Sequence, residues 1–503
     1  MHSKHVYRFL IAGLLLLPAS LFSQETTKIL LEHADSLVHS SKIRPEFQRL
    51  QGNVRLSHDS TMLMCDSAFL NDEKNFVLAY GNVDIRVSDT LNLYGDSLNY
   101  DGNTKIAKIW GNVKLIDNET TLTTDTLSFD RTTEIASYLY WGKIVNSDNS
   151  LVSKHGYYHT RTKEFYFQKK VILINPDYIM HSDTLMYNTI SKVTYFYGPS
   201  TIKGTEDSIY CENGWYNTNT DVARFRKNSW IYHQSQVLTG DSIYYEKRSG
   251  FGQVFRHAKL IDTVQKTTLM GNYGELHRVK GYAYMVDSAV VQMVDKKDTL
   301  FMHSDTVYAT FDTGQNIKHI LCYYKVKFFR RDLQGMSDSM AYHGRDSTLS
   351  LYHNPVLWSE QNQLFSDSIK LTLLNSQIDS MILYNNAFII SKDDTNKFNQ
   401  VKGRNMVGFF KDNELYKIKV VGNSETVYFA REEDHSLIGI TRVYSSDMLI
   451  FIGKNQIKSI TYINQPKAVT SPEKDVSPYD LKLKGFKWIE EKRPLTKKDI
   501  FKW

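Results

Sequence analysis

Proline is scarce in this chain until its end: there are nine in 503 residues, and Pro466, Pro472, Pro478 and Pro494 fall in the last 38. Cysteine is scarcer still, with only Cys65, Cys211 and Cys322. Cys65 and Cys211 hold the same phase of a repeat but lie about five repeats apart, beyond the ~6 Å Cα separation a disulfide requires. All three are expected as buried free thiols. A strong charge of one sign is also missing. The net charge is +6, and the Lys and Arg residues are spread along the chain rather than gathered in a stripe, which argues against a nucleic-acid binder. With charged residues at 23% and both signs interspersed, neither disorder nor a membrane bundle is expected. The one long apolar run, "FLIAGLLLLPASLF", is too short for a comfortable membrane span. It follows Lys4 and Arg8 and leads to the small residue Ser23, the layout of a secretory signal. No cysteine stands at the cleavage point, so lipid anchoring is not expected. Residues 1–23 are read as a signal peptide, with the mature chain starting near Gln24 and working outside the cytoplasm.

What is present is a repeat. The phrases "LQGNVRLSHDSTMLMCDSAFLND", "AYGNVDIRVSDTLNLYGDSLNYD" and "IWGNVKLIDNETTLTTDTLSFD" share one grammar. Anchored on the Asp-Ser/Thr pair, copies fall at Asp35, Asp66, Asp96, Asp125, Asp183, Asp241, Asp305, Asp338 and Asp367. Degenerate copies sit at His155, Glu212 and Asn272, and weaker ones at Asn405 and Asp447. The period is about 30 residues, which is the mark of a repeat architecture. Residues 24–465 are read as one array, and 466–503 as a Pro- and Lys-rich tail. That tail holds ten Lys/Arg against six Asp/Glu, or +4 of the total. It is expected as an extended segment, with "LKGFKWIEEKRP" laid against the array or a partner.

Apolar positions define the unit. Three residues before the anchor stand Leu63, Leu93, Leu122, Met180, Leu238, Met302 and Leu364. Two after it stand Ala68, Leu98, Leu127, Leu185, Ile243, Val307, Met340 and Ile369, and four after it Leu70, Tyr100, Phe129, Tyr187, Tyr245, Tyr342 and Leu371. The last two sets alternate as a strand does. The first and second are an odd number of residues apart, so both can face inward only if the chain bulges or turns a corner between them. Tight hairpins are expected at "YDGNTK" and "IDNETT". Each unit then resolves into four short strands, with corners at Gly-Asn (Gly81-Asn82, Gly111-Asn112) and at Asp-Ser/Thr (Asp96, Asp125). The expected fold class is all-β: a long repetitive antiparallel jelly roll of two facing sheets, with no substantial helix apart from the signal peptide.

Chemistry finds no foothold in this pattern. A Ser-His-Asp arrangement needs a histidine oriented beside the pair, and the histidines keep no constant offset from any anchor. A side chain repeated every unit is a poor catalyst, because a site is needed once. The nonapeptide calcium repeat and the EF-hand loop are both missing. "HGYYH" could place His155 and His159 on one strand face, but no third ligand accompanies them. No catalytic residue, metal site or cofactor is assigned. The repeated carboxylate and hydroxyl are expected to satisfy backbone N–H groups freed at a corner.

An export signal followed by "GNV" and an apolar–Asp-Ser/Thr–apolar corner at this period resembles the OstA-like (organic solvent tolerance) family. The clearest matches are "LQGNVRL", "AYGNVDI" and "IWGNVKL" with Asp66, Asp96 and Asp125. The family includes periplasmic lipopolysaccharide-transport proteins and the N-terminal domain of the outer-membrane translocon. The resemblance implies a non-enzymatic protein of the periplasm, with association to the outer membrane as an option, whose greasy interior shields lipopolysaccharide acyl chains. It implies lipid A and other lipopolysaccharide-transport proteins as partners, with head-to-tail self-association as a further option, and no nucleic acid. The lipid-groove candidates are Leu93, Leu98, Tyr100, Val113, Leu115, Leu122, Leu127, Phe129, Leu185, Tyr187, Ile243 and Tyr245. Competing readings are an exported β-solenoid enzyme acting on polysaccharide, an outer-membrane barrel, and an outer-membrane-associated scaffold without lipid cargo.

Overall fold

A computed structural model describes residues 27–503 apart from 41, 43, 147–148, 296–297, 375–376, 412–413, 433 and 454–455. The expected signal peptide lies outside the described residues. The chain divides into two compact units, residues 1–147 and 148–503. This boundary falls inside the span read as one array. The described residues form 38 strands and three one-turn 3-10 segments, and every described strand pairing that was resolved residue by residue is antiparallel.

In the first unit, six consecutive strands make a meander: Gln48–His58, Thr61–Asn71, Phe76–Arg86, Leu91–Asp101, Ile106–Asp117 and Thr120–Asp130. The expected four short strands per unit are two long ones here, because the chain stays in the ladder through each corner. The corner is a register shift inside the strand, for example between Gln51 and Val54 and between Met64 and Ser67. One strand supplies Gly-Asn in the left-handed region (Gly81 φ 76°, Asn82 φ 45°). The partner strand supplies the Asp. Together they bend every strand at one level, so its two halves belong to two facing half-sheets. Burial follows the bend: Leu63 and Cys65, then Ala68 and Leu70, face inward, while Asp66 faces out. The odd spacing in the sequence therefore marks a bulge.

The second unit continues this plan, and there several strands do break at the corner, as Ser200–Gly204 and Asp207–Cys211 show beside Val193–Phe196 and Asn213–Asn217. One hydrogen bond recurs at the corners: the N–H of the corner residue donates to the carbonyl of the left-handed pair opposite. It runs from Asp35 to Gly52, Asp367 to Asn385, Lys154 to Lys169, Arg404 to Gly422 and Ser446 to Asn464. The degenerate copies at His155, Asn405 and Asp447 are thus each one residue late; the corners are Lys154, Arg404 and Ser446. Asn464-Gln465 (φ 61° and 52°) is one more corner, and the last strand, Lys467–Ser471, follows Pro466 and pairs with Ile440–Tyr444.

The tail beyond Ser471 lies along the outer face of the second unit's half-sheet that contains Ala387–Asp394 and Lys397–Gly403. Leu483 is buried there against Phe388, Ile390, Val427, Phe429 and Ile440. Buried polar side chains of successive strands read its backbone. Gln400 donates to Leu481 O (2.8 Å) and accepts from Leu483 N (2.8 Å). Gln363 donates to Lys487 O (2.5 Å) and accepts from Ile489 N (2.9 Å). Arg493 donates to Gln334, and Lys327 donates to Lys502 O. The tail is a strap on the roll, one of the two placements expected for it. Strands beneath it are apolar on both faces, as in "AFII" (Ala387–Ile390), where all four residues are buried.

Candidate functional site

The sequence-chosen lining residues lie in the interiors of their own units. Leu93, Leu98, Tyr100, Val113, Leu115, Leu122, Leu127, Phe129, Leu185, Ile243 and Tyr245 are buried, and Tyr187 is half-buried. In the first unit, Leu56, Leu63 and Ile85 of one half-sheet face Leu98, Tyr100, Ala107 and Phe129 of the other around a void of about 20 Å³. That is room for about one water and no more.

The hairpin ends of the two half-sheets meet and close this part of the roll. His58 Nδ1 and Tyr100 Oη are 2.6 Å apart. Asp59 pairs with Lys105 (2.8 Å) and Arg131 (3.6 Å). Hydrogen bonds from Lys105 and Thr27 hold the Asp59 carboxyl down at about 2. The second unit has comparable ties, with Gln236 donating to Gln315 O (2.8 Å) and Gln265 to Ile317 O (3.3 Å).

The corners use their carboxylates differently from expectation. Asp35, Asp66 and Asp96 accept from the side-chain amides of Asn53 (3.0 Å), Asn82 (2.9 Å) and Asn112 (2.8 Å). Backbone N–H groups are mostly served by backbone carbonyls instead; at Gly422 the N–H donates to Asp447 (2.8 Å), and at Asn385 to the side-chain oxygen of Asn405 (2.9 Å). Asp125 faces Tyr140-Trp141 in place of Gly-Asn. The sequence reading missed one position: the residue just before each corner acid is small. It is Ala34, Cys65, Gly95, Thr124, Ser182, Cys211, Gly240, Ser304, Ser337 or Ser366. Ser182, Ser304, Ser337 and Ser366 each donate to the carbonyl two residues on, at 2.8–3.2 Å, and Cys65 does the same with its thiol (3.3 Å). Two of the three cysteines are thus corner residues. All three are free and buried, and burial pushes Cys65 up to about 11 and Cys211 and Cys322 to about 12.

The large cavity lies elsewhere, in the second unit between the half-sheets under the strap. Its volume is about 670 Å³, in the range of small-molecule sites. Leu357, Leu364, Ile389 and Val401 come from the strapped half-sheet, and Leu371, Met381, Leu415, Ile418 and Ile450 from the facing one. Its rim is ionic: Arg330, Arg331 and Arg493 with Asp295, Asp298, Asp332 and Glu360. Arg330 pairs with Asp332 (2.6 Å) and Arg331 with Asp298 (3.1 Å). Burial raises Asp298, but hydrogen bonds from Thr299 and Arg331 outweigh it and hold the carboxyl below its usual value. Arg493 reaches the rim from the strap, donating to Gln334 Oε1 (2.8 Å) and Glu360 O (2.6 Å). Burial lowers this guanidinium from its ordinary value. None of the lipid-groove candidates lines this cavity, although Leu364 and Leu371 of the inward apolar sets do. The available signal was the loss of repeat regularity after Tyr352, where "HNPVL" and "NNAFI" replace Gly-Asn.

Among the described residues no cluster of three His, Cys, Asp or Glu side chains is placed to hold a metal. No described helix is long and apolar enough to cross a membrane. The arrangement can hold an apolar chain between two sheets with a polar group at the rim. The family model for OstA-like proteins matches residues 26–183 and 202–300, slightly more than half of the chain. No curated protein matches it.

Proposed function

The chain belongs to the OstA-like family, and from that premise we propose that it is a lipid carrier of the cell envelope, sheltering lipopolysaccharide acyl chains on their way to the outer membrane. The observation that carries this reading is the apolar cavity of about 670 Å³ with Arg330, Arg331 and Arg493 at its rim. Each methylene moved from water into such a space contributes about 0.8 kcal/mol. Dispersed, non-directional binding of this kind retains a chain yet lets it slide. The rim arginines suit the phosphates of a lipid headgroup. The activity is binding and release, with no bond made or broken.

The protein works in the periplasm, alongside other lipopolysaccharide-transport proteins of the envelope. Strand edges favour end-to-end contacts. Leu30–His33 and Ser36–His39 in the first unit are exposed throughout, and Lys467–Ser471 in the second is almost so. Such edges recruit further strands.

The test is to purify the protein from its native envelope, extract it and seek lipid A by mass spectrometry. Photo-crosslinking residues at Ile389 and Ile418 should capture lipid, whereas one at Leu127 should not. Recovery of no lipid, or labelling indifferent to position, would sink the proposal. Recovery of phospholipid alone would keep a lipid carrier and remove lipopolysaccharide as the cargo.

A further inference from the structure

Between residues 169 and 325 the corner ridge on the outside of the second unit carries cationic residues that the first unit's Gly-Asn pairs lack. Three left-handed pairs of the first unit are Gly52-Asn53, Gly81-Asn82 and Gly111-Asn112, residues that enter this region at low cost. The second unit keeps Asn385-Asn386 and Gly422-Asn423 and has Asp287-Ser288, but it also has Lys169-Lys170 (φ 63° and 54°), Lys227-Asn228 (58° and 52°), Arg256-His257 (59° and 50°) and Tyr324-Lys325 (63° and 52°). Long cationic side chains are strained in this backbone conformation. Their use where Gly-Asn folds more easily points to a role for the charge.

Arg226, Lys227 and Arg256 are exposed and border an open groove of about 900 Å³. None of the three has an ion-pair partner among the described residues, and the nearby acids are engaged elsewhere. Glu212 accepts from Asn228 (2.8 Å) and Tyr210 (3.2 Å), and Asp241 pairs with His257 (3.1 Å). The groove also has an aromatic floor. Phe255 and Tyr273 are cross-strand neighbours whose rings meet edge to face at 5.5 Å, and the Arg224 guanidinium lies 5.5 Å over Phe255. One ring of the floor is fixed at its hydroxyl: Tyr273 donates to Glu275, and Gln253 donates to both Tyr273 (3.1 Å) and Glu275 (3.2 Å). Burial raises the Glu275 carboxyl, but these hydrogen bonds and those of His277 and Tyr284 outweigh it, leaving it at about 2.

We propose that this groove binds an anionic saccharide, with a sugar ring against Phe255 and Tyr273 and its phosphate or carboxylate against Arg226, Lys227 and Arg256. Charge complementarity selects an anion. The half-buried rings select a ring-shaped ligand over a membrane, which would need apolar side chains that project. This site lies on the outer surface, is separate from the interior cavity and does not rest on the lipid reading.

Isothermal titration of the full chain tests it, with glucose 1-phosphate and oligogalacturonate as anionic probes. Maltooligosaccharide and phosphatidylglycerol vesicles are the controls. The variant combines Lys227→Gly with Arg256→Gly and His257→Asn, restoring the Gly-Asn corners of the first unit. Binding of at least one anionic probe is expected, weakened about ten-fold or more in the variant, with a melting temperature unchanged or raised. The probe that binds distinguishes phosphorylated sugars from uronates. Failure of both probes, equal binding of the neutral sugar, binding confined to vesicles, or an unaltered affinity in the variant would each overturn the assignment. Lipid A recovery is a separate readout, so either proposal can fail alone.

Discussion

Gly95 shows what a corner demands of one residue: a Cβ there would lie 2.4 Å from Ile109 Cγ2. Gly95→Val should therefore destabilise the fold by about 1–3 kcal/mol through overpacking, read as a shift of the denaturation midpoint. Cys65, in the equivalent position, already donates to Ser67 O, so Cys65→Ser should cost under about 1.5 kcal/mol. The raised thiol pKa values predict that no cysteine reacts with a disulfide reagent at pH 8 until the chain unfolds. Rapid labelling of the native protein would contradict the sealed interior. Asp59 makes a pH prediction. Its folded value of about 2 lies below the ordinary 3.8, so its stabilising effect is present above about pH 4 and is lost as the pH falls toward 2. Because the pair is partly exposed, the effect is small, at most about 1 kcal/mol. Asp59→Asn should flatten the stability profile in that window and leave it unchanged at pH 7 apart from a constant offset.

At the scale of an element, the strap is held by backbone recognition as well as apolar contact. Gln363 is fully buried and satisfies both Lys487 O and Ile489 N. Gln363→Leu strands both groups, at about 1–3 kcal/mol for each one left unsatisfied. Amide exchange across 481–493 should accelerate while the half-sheet beneath stays protected. Unchanged exchange would mean that the apolar cluster around Leu483 holds the strap alone. The strap also carries Arg493 to the cavity rim, so loosening it should weaken lipid retention. The strands under it carry continuous apolar runs such as "AFII", buried on both faces, which the sequence reading passed over. What would cover the second face was not legible there, because periodicity within a strand says nothing about which distant segment lies on it.

For the whole molecule, the question is where the interior is full and where it is not. The first unit leaves about 20 Å³, while the second encloses about 670 Å³. Val401→Phe adds volume to the larger space, so it should reduce bound lipid with little change in melting temperature. The same kind of enlargement at Leu98, in the filled interior, should instead unfold the protein more easily. Equal effects at the two positions would remove the distinction between cavity and core.

The repeat of about 30 residues, the inward apolar sets and the corners at the regular Asp-Ser/Thr pairs were determined by sequence alone, because alternation and its interruption are local properties of a strand. Asp66, Asp96 and Asp125 could be placed at bends without any coordinates. Their partners could not, since Asn82 and Asn112 lie on the next strand and reach back across the ladder. The tertiary structure alone decided that Leu93, Leu98 and Leu127 are packed core while Met381, Ile389 and Ile418 border open space. All six are apolar residues on alternating strands, and nothing in their spacing separates them. Whether two facing sheets meet or stand apart depends on the summed volume of side chains from strands distant in sequence, and on how their hairpin ends are tied. Only the assembled fold fixes both.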